Sequence, residues 1–164
     1  MEGPINHLLA LFQGSLIRRE SVSDILDVNE ATAQTGLIFT PQQAVTLLQA
    51  RDDALSDSGR LELGSGMVKR LILAFSESPF FQNGQAVDIL SELMDLFYHL
   101  KNETFDLLSD SELLCFLREL YDGECRGSLA LLRDAAINRL ARVIHGAPQE
   151  DKETEDTLEE EADE

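Results

Sequence analysis

The sequence predicts an all-α, single-domain bundle of five to seven helices with a disordered acidic C-terminal tail. Residues 84–103 carry apolar side chains at spacings of three and four, which is the period of an α-helix. These side chains cover most of the circumference, so we expect this helix at the centre of the bundle. Capping-box patterns at Thr40 and Ser109 mark two further helix starts. Almost nothing apolar follows residue 147, which predicts a helical domain over residues 4–147 and a disordered tail over residues 148–164.

The first predicted elements are a short helix over residues 4–12 and a helix that runs from Ser21 to Gly36. Gly36 stands where a residue in the left-handed conformation commonly ends a helix. Residues 37–39 are apolar and favour β-structure, and residues 60–63 alternate between polar and apolar. These two stretches predict either a minimal two-stranded β element or an extended crossover, since so small a pair is marginally stable by itself.

The helix that begins after Thr40 has Pro41 at its first position and should reach about Asp57. The following helix covers residues 66–77 and ends at Pro79, which cannot continue it. Short connections join the three most apolar predicted helices, which should therefore pack as antiparallel neighbours. They cover residues 66–77, 84–103 and 110–121.

Two short connections in this part of the chain have alternative interpretations. The first, Gly64-Ser65-Gly66, resembles a small phosphate-binding loop, but it lacks the spacing of the nucleotide-binding motif. Ser65 as a plain helix N-cap explains the same residues. In the second, Phe80 and Phe81 either fix the start of the central helix against the core or, if exposed, would be anchors for a partner.

The capping box at Ser109 opens a helix over residues 110–121, which Gly123 ends. We expect a single turn from Ser128 through residue 132. A last helix should then begin at Asp134 as N-cap and stop at Gly146.

Charge and composition exclude several classes of protein. The chain has 164 residues and a net charge of −18, which disfavours direct binding of nucleic acid. No apolar run approaches the length of about 20 residues that a membrane span needs, and the N-terminus has the wrong charge order for a secretory signal. Two cysteines make no disulfide framework, so we expect a reduced, cytoplasmic protein.

No metal, cofactor or catalytic constellation is predicted. Cys115 and Cys125 are separated by nine residues, and the histidines are scattered, whereas structural zinc requires closely spaced ligand pairs. Cys115 lies in an apolar helix and is interpreted as a small core residue. No serine stands in a nucleophile-elbow pattern.

Charged residues near the ends of the predicted helices are the candidate ligand-binding site. A packed bundle would bring several of them together into one cluster, either as structural ion pairs or as a cleft for a small ligand or a catalytic reaction. The candidates are Arg60, Glu62, Lys101, Glu103 and Arg126.

The acidic tail suggests a second hypothesis. Residues 150–164 contain ten acidic residues and one lysine, a net charge of −9, whereas residues 126–145 are locally basic. The tail would be attracted to that basic face at low salt and would compete with an acidic partner. The simpler alternative is a tail that only keeps the protein soluble.

Three short segments resemble an uncharacterised family of small, mainly helical bacterial proteins. They are Ser58-Gly59-Arg60-Leu61-Glu62-Leu63-Gly64, Lys101-Asn102-Glu103-Thr104 and Asp122-Gly123-Glu124-Cys125-Arg126-Gly127-Ser128. The resemblance covers roughly residues 22–146. It implies a bacterial, cytoplasmic setting and supplies no activity, cofactor or catalytic residue.

The predicted function is therefore general. The first hypothesis is a non-enzymatic, cytoplasmic helical domain that binds another protein, or a second copy of itself, in an accessory or regulatory role. The alternative is a small-ligand-binding protein or small enzyme that uses the charged residues at the helix ends. A concave pocket lined by those residues would favour the ligand, whereas a flat apolar patch would favour a protein partner.

Overall fold

The computed structural model of the chain describes residues 19–61 and 66–146. Within these ranges the fold is all-α, as the sequence predicts, and residues 37–39 form an extended connection rather than a strand. The predicted helix over residues 4–12 and the predicted tail lie outside the described residues. The α-helices are α1 Val22–Asp27, α2 Asn29–Thr32, α3 Pro41–Asp57, α4 Met67–Phe75, α5 Ala86–Glu103, α6 Asp110–Asp122 and α7 Leu129–His145, with 3-10 segments at Ala33–Thr35 and Asn83–Gln85.

The central position predicted for α5 is confirmed. This helix packs against α3, α4, α6 and α7, and α4 and α6 also contact each other. Because α5 has neighbours on several sides, its apolar residues are buried around most of the circumference. The α5 side chains with no exposed surface are Leu90, Leu93, Met94, Phe97, Tyr98 and Leu100.

The capping boxes read from the sequence are also confirmed. Thr40 Oγ1 accepts a hydrogen bond from the Gln43 N–H at 3.2 Å, and Gln43 Oε1 accepts one from the Thr40 N–H at 2.9 Å. Ser109 and Glu112 form the same reciprocal pair at the start of α6. Each box satisfies two backbone donors that a helix start leaves without partners.

The helix predicted from Ser21 to Gly36 is interrupted. The structure divides it at Val28 into α1 and α2, and a 3-10 turn then leads to Gly36, whose φ of +78° fits the predicted left-handed end. Thr32 is buried, and its hydroxyl donates to the Leu37 carbonyl at 2.6 Å, which turns the chain toward α3.

The last helix differs from its prediction. Ser128 does cap a helix, since its side chain accepts from the Leu131 N–H, but α7 then continues without a break to His145. Asp134 therefore lies inside the helix and is no N-cap. The helix continues past Asp134 because it has one continuous apolar face. Leu132, Ala136 and Leu140 are buried on this face at a spacing of four residues.

The interpretation of Cys115 as a core residue is wrong, since its thiol is exposed on α6. The nearby carboxylate of Glu119 raises the pKa of this thiol, which makes the reactive thiolate less available.

Phe81 is buried and Phe80 packs against the core, as the first interpretation of this pair requires. In the part of the chain that is described, no helix has the length and apolarity that crossing a membrane requires.

Candidate functional site

The loop between α5 and α6 has an unusual residue at its start. Helix α5 ends in a Schellman motif, in which the Phe105 N–H donates to the Asn102 carbonyl at 3.0 Å and the Asp106 N–H donates to the Lys101 carbonyl at 2.9 Å. The residue after the C-cap of this motif adopts the left-handed conformation and is usually glycine. Here it is Phe105, with a φ of +52°, and Asp106 follows with a φ of +56°.

Burial does not compensate for this backbone strain. The left-handed conformation costs a non-glycine residue roughly 1–2 kcal/mol, and a buried aromatic ring could offset that cost. Phe105 is 76% exposed, however, and Leu107 is 74% exposed. The loop thus presents two large apolar side chains to solvent, one of them at a position that favours glycine. Such conflicts between local preference and observed residue are concentrated at functional positions.

Arg60, three residues beyond the end of α3, fixes the conformation of this loop. Its Nη2 lies 2.7 Å from Asp106 Oδ1 and its Nη1 lies 3.1 Å from Asp106 Oδ2, so the pair is bidentate. Arg60 Nη1 also donates to Asn102 Oδ1 at 2.9 Å, and Asn102 Nδ2 donates to the Ser58 carbonyl at 2.8 Å. The hydrogen bond from Arg60 lowers the pKa of Asp106, because it stabilises the ionised carboxylate.

Lys101 holds the other side of the loop. It is only 6% exposed, and its Nζ donates to the Leu108 carbonyl at 2.8 Å and lies 2.9 Å from Asp110 Oδ1. The same Nζ lies 3.8 Å from Asp106 Oδ1. Arg70 of α4 completes the arrangement through Asp110. We call these residues the loop-anchoring cluster: Arg60, Arg70, Lys101, Asn102, Asp106 and Asp110.

The structure brings together only part of the site predicted from the sequence. Arg60 and Lys101 meet in the loop-anchoring cluster. Glu103 lies at the end of α5 but points to His99, with 4.0 Å between Glu103 Oε1 and His99 Nε2. Glu62 lies outside the described residues. Arg126 is exposed in the turn after α6, whose 13 residues place it about 20 Å from the cluster.

Sequence reasoning missed the two exposed apolar residues of the loop and the role of Asp110. A usable signal was present, because the chain after Glu103 contains no glycine at the point where helix α5 must end. Many helices end with a residue in the left-handed conformation, and where no glycine or asparagine is available another residue has to adopt it. The partner of Asp106 gave no such signal, since Arg60 lies 46 residues earlier in the chain.

The turn at the other end of α6 is held by packing and internal hydrogen bonds. Ser78 Oγ lies 2.5 Å from Asp122 Oδ1, and Tyr121 Oη donates to the Phe80 carbonyl at 3.2 Å. A shallow cleft of about 270 Å³ lies beside this turn. Arg139 is the one arginine among the described residues that line this cleft, and it already lies 2.6 Å from Glu124 Oε1.

The start of α4 has an acceptor from a distant part of the chain. Its N-cap residue is Gly66, which has no side chain to contribute, and Ser65 lies outside the described residues. The Glu20 carboxylate accepts hydrogen bonds from the N–H groups of Val68 at 3.0 Å and Lys69 at 2.9 Å. The carboxylate of Glu20 therefore occupies the helix start at which the phosphate-loop alternative places an external anion.

Burial raises the pKa of the Glu20 carboxyl above its ordinary value, against the opposing effects of the two N–H groups and of Arg51 at 3.9 Å. The folded chain therefore binds this proton more readily than the unfolded chain does. The contribution of Glu20 to the free energy of unfolding should grow as the pH falls from about 7 to about 4.5, the ordinary pKa of a glutamate carboxyl. Unfolding of wild type and Glu20→Gln at both pH values measures this effect. The advantage of wild type should be larger at the lower pH, and an advantage that stays constant or shrinks would contradict the pKa direction.

Half of the arginines of the basic segment over residues 126–145 are paired with acids of the helical domain. Arg133 Nη2 lies 2.8 Å from Asp95 Oδ2, and Arg139 is paired with Glu124. Among the arginines of the described C-terminal part, Arg126 and Arg142 are the two without an ion pair. The hypothesis that the acidic tail covers this face stays a prediction, and two of its four arginines already have acidic partners.

The described residues contain no group of three or more His, Cys, Asp and Glu side chains placed to hold a metal ion.

Comparison with known proteins identifies a family but no activity. A family model described as a family of unknown function, DUF6323, matches residues 24–150. No curated protein and no solved structure matches the chain. The sequence-based resemblance to an uncharacterised family is thereby confirmed.

Proposed function

We propose that this chain, which belongs to DUF6323, a family of unknown function, acts by binding another protein through the loop between α5 and α6. We call the binding region the Phe105 surface and define it by Phe105, Leu107 and the exposed carboxylates of Glu103 and Asp106. The observation that carries the proposal is the exposed ring of Phe105 at a backbone position that favours glycine. The role is that of a non-enzymatic, cytoplasmic accessory or regulatory domain.

The physical argument for a protein partner has two parts. Aromatic side chains are enriched in the buried centres of protein interfaces. Burial of a large apolar ring removes it from water and thereby contributes favourable binding free energy. The loop is also fixed in advance by the hydrogen bonds of Arg60 and Lys101. A partner therefore loses little free energy to ordering the surface that it binds.

The small-ligand or enzyme alternative has weaker support. The cations of Arg60 and Lys101 that would bind an anionic ligand already contact Asp106 and Asp110. A cleft of about 270 Å³ does lie beside Arg60, but its other arginine, Arg19, is paired with Asp52 at 2.7 Å. An anionic ligand in this cleft would have to displace Asp106 from Arg60 or Asp52 from Arg19 before it could bind a guanidinium group.

The Phe105→Gly variant should be more stable than wild type and should lose the partner. Glycine removes the strain of the left-handed conformation, so we expect a gain of about 0.5–1 kcal/mol in the free energy of unfolding. Loss of a central aromatic contact should weaken binding by about 30-fold or more. Stability is measured by chemical denaturation, and binding by quantitative mass spectrometry of proteins retained from the host's lysate on the immobilised full chain.

Val143→Ala is the matched control, since Val143 is 75% exposed on α7 and lies outside the Phe105 surface. At least one polypeptide should be retained by wild type and Val143→Ala and lost by Phe105→Gly. If the three proteins retain the same set, the Phe105 surface is not the binding site. If Phe105→Gly is clearly less stable than wild type, the strain argument is wrong.

A further inference from the structure

We infer that the Phe105 surface binds a basic segment of a partner protein that carries a large apolar anchor residue. This inference rests on the proposed function and adds the chemistry of the partner. It follows from the charged groups that surround the two exposed apolar side chains, and from how far the acidic and the basic side chains are exposed to solvent.

The acids beside Phe105 and Leu107 are exposed, whereas the two cations that hold the loop are largely buried. The side chains of Glu103 and Asp106 are 60% and 54% exposed, and Asp57 at the end of α3 is exposed as well. In contrast, the side chains of Arg60 and Lys101 are only 17% and 8% exposed. Both cations lie beneath the loop and neutralise carboxylates from below. An approaching partner therefore meets carboxylates around an apolar centre.

Two helix ends add to the negative potential. Helices α3 and α5 both end in this region, and the hydrogen bond from Asn102 to the Ser58 carbonyl holds the two ends together. The C-terminus of a helix carries a partial negative charge of about half an elementary charge. The positive partial charge at the start of α6 lies beside the acids of its own first turn, Asp110 and Glu112, so the ends of α3 and α5 favour a cation near the exposed carboxylates.

These features select the partner by complementarity. An apolar anchor can contact Phe105 and Leu107 while lysine or arginine residues on either side of it face Glu103 and Asp57. An acidic segment would bring like charges together, and a neutral segment would leave the carboxylates without compensation. The net charge of −18 on the whole chain, half of it in residues 150–164, would attract the same basic segment from a distance and accelerate its association.

A selection from a random peptide library tests the inference. The library is selected for binding to the immobilised full-length wild type at low salt, and each enriched peptide is then measured against Phe105→Gly. Peptides that depend on Phe105 should carry a net positive charge and at least one aromatic or large aliphatic residue. Their affinity for Phe105→Gly should be lower by about 30-fold.

The outcomes separate the two proposals. If the enriched peptides depend on Phe105 but are neutral or acidic, the inference about charge is wrong and the proposed surface stands. If no enriched peptide depends on Phe105, the proposed surface fails, and the inference fails with it. Basic peptides that bind wild type and Phe105→Gly equally show attraction to the acidic chain in general, and they also overturn both proposals.

A charge variant gives an independent measurement with the enriched basic peptide. The double variant Asp57→Asn, Glu103→Gln should bind it about five-fold more weakly and with a weaker dependence on salt. Asp106 is left unchanged, because it holds the loop. The control, Asp134→Asn, removes an exposed carboxylate from α7 and should leave the affinity within about two-fold of wild type. Equal effects of the double variant and the control would contradict the assigned role of Asp57 and Glu103.

Discussion

The Gly127→Ala variant should lose about 3 kcal/mol of its free energy of unfolding. Gly127 has a φ of +79°, which strains any residue with a side chain. A Cβ at this position would also lie 2.6 Å from the Cβ of Phe80, well inside contact distance. Phe80 has little freedom to move, because its carbonyl accepts from Tyr121 and its N–H donates to Ser78. Denaturant unfolding monitored by circular dichroism measures the loss.

A second glycine separates the two causes of this effect. Gly59 has a φ of +64°, but a Cβ there would have nothing within 4 Å. Gly59→Ala should therefore cost only the conformational strain, about 1 kcal/mol. The difference between the two variants then reports the contact with Phe80. Equal losses in Gly59→Ala and Gly127→Ala would show that this contact contributes nothing.

Lys101→Met should lower the free energy of unfolding by about 2 kcal/mol and also weaken binding at the Phe105 surface. Methionine keeps the apolar stem but removes the ammonium group. The Leu108 carbonyl then loses its charged donor, and Asp106 and Asp110 lose the cation that lies between them. Because these contacts fix the loop, the exposed apolar residues should also lose their fixed arrangement.

Lys69→Met is the matched control, since Lys69 is exposed and its side chain makes no ion pair within the described residues. This variant should unfold within about 0.5 kcal/mol of wild type. Affinity of both variants for the basic peptide, measured by titration calorimetry, completes the comparison. If Lys101→Met is destabilised but binds normally, the loop does not need its anchor for recognition.

Local signals in the sequence were sufficient for most of the fold. The capping boxes at Thr40 and Ser109 depend on residues three positions apart, and the period of α5 depends on one helical face. These patterns need no knowledge of distant residues. The all-α class and the central helix followed directly from them.

The candidate site depends on contacts between distant parts of the chain, which one sequence does not contain. Asp106 pairs with Arg60, and the start of α4 is capped by Glu20, 48 residues before Val68. The misinterpretation of Cys115 has a related cause. The residues of an apolar helix that face the core can be identified only when the neighbouring helices are known. The helices that pack against α6 leave its Cys115 side exposed to solvent.

The hydrogen bonds of Glu20 have a consequence for where the folded unit begins. The family match starts at residue 24, so a truncated protein designed on that boundary would lack Glu20 and the N-cap Ser21. Its α4 would begin with two N–H groups that have lost their acceptor, and Arg51 would lose a carboxylate and a carbonyl partner. The smallest stable fragment should therefore include Glu20 and also Arg19, whose Nη2 lies 2.7 Å from Asp52 Oδ1. Both residues precede the segment that the family model matches.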